Sequence, residues 1–175
     1  MIRFDHTALY HVSEQADIEL FRPRPTKQHE AKVWAIRGSH IQNYLFPRDC
    51  PRICIWANKV TNLQDKNLLD GAKTHIFIEQ NWLTRCATAE LYIYQFEEDG
   101  FVLEDKNAGY MTSTQAQAPI KKQMLAWRSV DFAALATKLD AVPNLMPYRD
   151  KILASGLAYS MIRLRNAQPI QSMPI

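Results

Sequence analysis

Glycine is scarce in this 175-residue chain, which has only Gly38, Gly71, Gly100, Gly109 and Gly156. None of them belongs to a G-x-G-x-x-G or Walker arrangement, so the glycine-rich backbone cradle around phosphates is missing and P-loop triphosphate chemistry is excluded. The G-x-S-x-G and H-E-x-x-H patterns are absent too. Cysteine is limited to Cys50, Cys54 and Cys86. An odd number with no C-x-x-C pair argues for free thiols over a disulfide framework, and with no H-x-x-x-H it offers no recognisable zinc ligand set, so no metal is expected. Long apolar runs are also wanting. The longest, Ile53 to Ala57 and Phe132 to Ala136, have five residues each, against the ~20 that a membrane-spanning helix needs. The start, Met1-Ile2-Arg3-Phe4-Asp5-His6, has no apolar stretch of the kind a secretory signal carries. The expectation is a cytoplasmic protein with no membrane partner.

Neither sign of charge dominates. Twenty-one Lys+Arg against 18 Asp+Glu give a net charge of +3, and the chain is 47% apolar and 22% charged. This is ordinary for a globular protein and far from a disordered tail. At ~150 residues per domain, residues 1–175 are expected to form one domain.

Short β-branched and aromatic runs bounded by Pro, Asn, Asp and Gly predict strands at Ala8 to Val12, Lys32 to Ile36, Arg52 to Ala57, His75 to Glu79, Glu90 to Phe96, Phe101 to Leu103, Tyr110 to Thr112 and Pro119 to Leu125. The run Glu90 to Phe96 alternates Leu91, Ile93 and Gln95 with Tyr92, Tyr94 and Phe96. Both faces are largely apolar, which predicts a central strand. Ser39-His40-Ile41-Gln42 and Thr61-Asn62-Leu63-Gln64 match the capping box and predict two short helices, stopped by Pro47 and Gly71. Beyond Trp127 the spacing turns helical. Phe132, Leu135, Ala136 and Leu139 make one stripe under a Ser129 cap, and a second helix begins at Pro147 and continues through Leu164, with a break at Gly156. The predicted class is therefore α+β: a strand-rich core over about residues 8–127, a helical segment over about 129–166 and an extended tail over 168–175. Phe21 to Ala31, with Pro23 and Pro25, is a loop long enough to be functional.

Among the reactive groups, Cys50 lies in Pro47-Arg48-Asp49-Cys50-Pro51-Arg52, where two arginines favour a thiolate. The same run also reads as a turn between a helix and a strand. The basic pairs Arg22/Arg24 with Lys27, Arg48/Arg52 and Lys121/Lys122 are scattered and lack the aromatic interleaving of an RNA-reading strand. An RNA or DNA end nevertheless stays open as an acceptor.

In order and spacing, Leu9 to Trp127 resembles the ADP-ribosyltransferase fold. Tyr10-His11-Val12-Ser13 is similar to the Y-H-x-[ST] motif of that fold's first strand. Val33-Trp34-Ala35-Ile36 corresponds to its aromatic second strand, followed by a helix carrying Tyr44. Leu91 to Phe96 and Tyr110 to Ile120 resemble its closing half. The whole chain is also similar, nearly end to end, to a bacterial family of uncharacterised proteins, through Tyr10 to Glu14, Pro47 to Arg52, Asn107 to Tyr110 and Ser160 to Ala167. That second resemblance brings no established activity.

The first resemblance implies that NAD is bound as a substrate and its nicotinamide–ribose bond cleaved through an oxocarbenium-like transition state. It implies a contact to the ribose hydroxyls from His11, with Tyr10 and Ser13 beside it, and aromatic stacking from Trp34, Tyr44 or Tyr110. Arg24 or Arg48 would hold the pyrophosphate. Where the fold usually has an acidic residue this chain has Gln115, which cannot act as a base; Glu98, Glu104 or Asp105 would have to substitute. The catalytic set expected is His11, Tyr44 and Glu104. Two alternatives from other classes are a non-enzymatic binding or interaction module on the same scaffold and a thiol enzyme centred on Cys50.

Overall fold

The computed structural model describes residues 3–25 and 30–169. In chain order its strands are β1 (Leu9–Ser13), β2 (Val33–Arg37), β3 (Arg52–Trp56), β4 (Thr74–Glu79), β5 (Glu90–Phe96), β6 (Val102–Asp105), β7 (Tyr110–Ser113), β8 (Lys121–Ala126), β9 (Thr137–Val142) and β10 (Ala158–Ile162). The α-helices are α1 (Leu63–Lys66), α2 (Leu83–Ala87) and α3 (Met146–Leu153), with short 3-10 turns between. The protein is thus a strand-rich α+β chain. Two compact units divide it, one made of Met1–Arg48 with Thr88–Val130 and the other of Asp49–Ala87 with Asp131–Ile175.

The first unit holds a six-stranded sheet in the order β6-β7-β2-β1-β5-β8. Alternation buries Leu9, Val33, Ala35, Tyr94, Phe96 and Met111 in one cluster with Phe21 and Phe101, as a period-two strand with one face on the core requires. β5 lies inside this sheet, between β1 and β8, as its apolar faces predict. The second unit holds a four-stranded sheet, β10-β3-β4-β9, with β9 parallel to β4. Ile53, Ile55, Phe77, Leu145, Ile152 and Leu157 form its core. Buried Glu79 ends β4, and its carboxylate accepts from the amides of Leu145 and Gln168 at 3.0–3.3 Å. No helix among the described residues is long and apolar enough to cross a membrane.

All eight expected strands form, with their ends moved by a residue or two. The helical C-terminal segment is corrected. The stripe through Leu139 gives only a 3-10 turn, Ala133–Leu135, closed by Ala136 at φ 52°. Thr137–Val142 then pairs along β4, and the alternation of Lys138 and Asp140 with Leu139 and Ala141 fits a strand better than a helix. The second expected helix starts as expected, with Pro147 in the first turn of α3, but its later half is β10, antiparallel to β3. Sheet pairing outweighs local propensity in both places. Arg163 and Arg165, expected on that helix, fall on a left-handed residue and a 3-10 turn.

The capping boxes are also modified. Gly38–Tyr44 is a 3-10 helix in which the Gln42 side chain donates to the Ser39 carbonyl, 3.2 Å. α1 is capped by Asn62, whose Oδ1 accepts from the Asp65 amide at 2.8 Å. Thr61 Oγ1 turns instead to the Gly156 carbonyl, 2.9 Å away.

Candidate functional site

β1 and β2 start as an ordinary antiparallel pair, Leu9 opposite Arg37 and Tyr10 opposite Ile36, and their ladder comprises only these two positions. β1 stays paired with β5 along its whole length, while β2 is paired with β7 from Val33 to Ile36. The two strands therefore part after Tyr10. At the parting, His11 substitutes side chain for backbone: its Nδ1 lies 2.9 Å from the Trp34 carbonyl. A carbonyl only accepts, so Nδ1 carries the proton and the neutral ring keeps Nε2 as an acceptor. His11 also packs on Phe21, with ring centres 4.8 Å apart.

A cavity of about 580 Å³ opens at this split. Tyr10, His11 and Val12 from one strand and Trp34, Ala35 and Ile36 from the other line it, together with Tyr44, Glu104, Asp105 and Tyr110. Consecutive residues of a strand point to opposite faces, so three in a row from each strand line one cavity where backbone itself forms part of the wall. The volume lies within the ~300–1,000 Å³ usual for small-molecule sites.

Part of the lining is aromatic. Trp34 meets Tyr110 edge-to-face at 5.9 Å, and Tyr110 meets Tyr44 at 6.1 Å, with the Tyr44 hydroxyl donating to that of Tyr110. The acidic groups arrive through a β-bulge. Val102 is opposite Thr112 and Leu103 opposite Met111, but Asp105 is opposite Tyr110, leaving Glu104 as the extra residue. A bulge of this kind puts two consecutive side chains on one face. Glu104 and Asp105 thereby both reach the cavity. Glu104 Oε2 accepts from Thr112 Oγ1 at 3.0 Å and from Lys32 Nζ at 2.7 Å, and Asp105 Oδ1 closes the turn by accepting from the amides of Asn107 and Ala108.

Burial, and then the charges of Arg48 and Arg24, hold the His11 pKa below its usual 6.5, against the opposing pull of the Trp34 carbonyl. The ring is neutral at pH 7. Arg24 and Arg48 are exposed and are not among the lining residues; the Arg48 amide donates to Glu14 Oε2, 3.1 Å.

Of the residues singled out by sequence, the cavity brings together Tyr10, His11, Trp34, Tyr44, Glu104, Asp105 and Tyr110. Ser13 and Gln115 lie outside the lining. Ser13 Oγ accepts from the Gln15 amide, and Gln115 is an exposed turn residue whose amide donates to Ser113 Oγ. Glu98 pairs with Arg37 on the surface. Lys32 was not singled out, although its position two before Trp34 puts both on one face of an extended chain. Lys27 lies outside the described residues. Arg52 is buried, with a guanidinium nitrogen donating to the Cys50 carbonyl at 2.8 Å, so it offers no charge to a nucleic acid.

The thiols have the opposite of the environment that a nucleophile needs. Cys50, Cys54 and Cys86 are all free and buried. The Cys50 thiol is pushed upward by its bond to Cys86, 3.9 Å away, and by burial, which outweigh the nearby Arg52. Burial pushes Cys54 up to about 12. The arginines expected to favour a Cys50 thiolate do not prevail.

No curated protein and no solved structure matches the chain. One family model, "Family of unknown function (DUF6886)", matches residues 10–167, a span that includes every residue lining the cavity. By that match the chain belongs to the DUF6886 family.

Proposed function

We propose that the cavity between β1 and β2 binds NAD and that the protein cleaves the nicotinamide–ribose bond, as an α+β protein with an ADP-ribosyltransferase-like core. The observation that carries this reading is the cavity's lining, where Trp34, Tyr44 and Tyr110 stand with the Glu104 and Asp105 carboxylates and with His11. A flat pyridinium cation suits aromatic faces beside carboxylates, and the exposed Arg24 and Arg48, outside the lining, are the groups that would pair with a pyrophosphate.

In this reading Trp34, Tyr44 and Tyr110 receive the nicotinamide ring, and His11 Nε2 accepts a hydrogen bond from a ribose hydroxyl. As the C1′–N bond breaks, its electron pair leaves with nicotinamide, which departs neutral. Positive charge moves onto the ribose, where Glu104 offsets it. Water or an acceptor hydroxyl then bonds to C1′ and gives up its proton to the Glu104 carboxylate. An RNA or DNA end is one class of such acceptor.

One feature favours a second reading, a nucleotide-binding module without turnover: Glu104 is matched by Lys32 at 2.7 Å, which reduces the charge it can lend to an oxocarbenium ion. Calorimetry with NAD at low salt tests the common claim. The parent protein is expected to bind, and His11→Ala to bind at least tenfold more weakly; no binding by the parent would overturn both readings. Release of nicotinamide then separates the enzyme from the module.

A further inference from the structure

The Trp34 face and the Glu104 carboxylate already hold a cation, and it belongs to the protein. Lys32 Nζ lies 2.7 Å from Glu104 Oε2 and 6.0 Å from the centre of the Trp34 ring. The two side chains of the pair are 20% and 27% exposed, and the bond between them lies at the surface. Three strands converge to build this arrangement. Lys32 directly precedes Trp34's strand, and Trp34 is opposite Thr112 on β7. Thr112 in turn holds Glu104, the bulged residue of β6. A lysine is a flexible point charge on a long stem, and leaving such a pair takes little free energy.

We propose that Lys32 is a tethered competitor for the cation subsite of this cavity, so that a ligand ring must carry a positive charge of its own to displace it. The inference rests on the reading that the cavity binds the nicotinamide end of NAD. An oxidised pyridinium ring replaces what Lys32 gives up, charge against Glu104 and a cation over the indole. A reduced dihydropyridine ring is neutral. Entering the same place, it would leave the carboxylate without its counter-charge against aromatic walls, which is costly. Glu104 then selects the oxidised ring over the reduced one, and Lys32 sets the cost that either ring must meet on entry.

Oxidised and reduced nicotinamide mononucleotide share one phosphate, so contacts to phosphate cancel in the ratio of their affinities. Dissociation constants for both are measured by calorimetry with the parent, Lys32→Met and Glu104→Gln. The parent is expected to prefer the oxidised form. Lys32→Met should tighten both forms about three- to tenfold, because neither ring then has to break the ion pair and the cation–π contact, and should keep the parent's preference for the oxidised form. Glu104→Gln should collapse the preference, a readout that does not depend on the lysine variant folding. Equal weakening of both ligands by Lys32→Met would make Lys32 a phosphate ligand and overturn the proposal. Equal binding of both forms by the parent would overturn it too, while leaving the NAD reading intact; binding of neither would remove both.

Discussion

The imidazole of His11 donates from Nδ1 to the Trp34 carbonyl, so its acceptor atom is fixed only while the ring is neutral. Protonation would turn Nε2 into a donor, so that it could no longer accept from a ribose hydroxyl. Burial and the charges of Arg48 and Arg24 hold the folded-state pKa below 6.5. NAD affinity is therefore expected to stay level from about pH 8 down to about pH 6.5 and to weaken only below that, as calorimetry across this range would show. Stability carries the same sign. With a depressed pKa in the folded state, the contribution of the neutral ring is fully present above the unfolded value and is lost as pH falls through the folded one. Weakening of NAD binding already between pH 8 and 6.5 would contradict the assignment. At this scale the sequence was partly legible. The types of Tyr10, His11, Trp34, Tyr44, Glu104 and Tyr110 drew attention one by one, but their meeting depends on register, which a single sequence does not state. Gln115 attracted notice by its place in a resemblance, and the turn at Ser113 carries it out of the cavity lining.

Two departures from regular pairing make the site at the level of elements: the early end of the β1–β2 ladder and the bulge that sends Glu104 and Asp105 to one face. Neither has a signature in local composition, because each is set by what the neighbouring strand does. The turn between β6 and β7 keeps the bulge in place, and Gly109 is its tightest point. Gly109 has φ +72°, its carbonyl accepts from the Arg37 amide at 2.9 Å, and a Cβ there would lie 2.8 Å from His40 Nδ1. Gly109→Ala is expected to cost about 1–2 kcal/mol in chemical denaturation, from the left-handed backbone and the clash. It should also weaken NAD binding, since Asp105 and Tyr110 flank the turn. An unchanged denaturation midpoint would show that the turn tolerates a side chain. The eight strands before Trp127 were legible because short β-branched and aromatic runs sit between turn residues. β9 and β10 were not: for β9 the 3.6-residue spacing of Phe132, Leu135, Ala136 and Leu139 competed with a period-two pattern and pairing with β4 decided between them, and β10 is set by its pairing with β3.

For the molecule as a whole, a net charge of +3 says little, because charge is sorted locally. Among the described residues the cavity lining carries Glu104 and Asp105, with Lys32 paired to Glu104 beside it, whereas Arg24 and Arg48 lie outside the lining and help to lower the His11 pKa. The chain also sorts its work between units. Every residue lining the cavity falls in Met1–Arg48 or Thr88–Val130, and the second unit, with its sheet of four strands and buried Glu79, is interleaved in sequence between and after those two segments. Membership of DUF6886 covers both units. The most direct measurement of the central claim is a crystal structure of the full chain soaked with oxidised NAD. Ligand density is expected between β1 and β2, with a ring against Trp34 and Tyr110, and a ribose hydroxyl within hydrogen-bond distance of His11 Nε2. An empty cavity at saturating NAD, or density confined to the second unit, would contradict it.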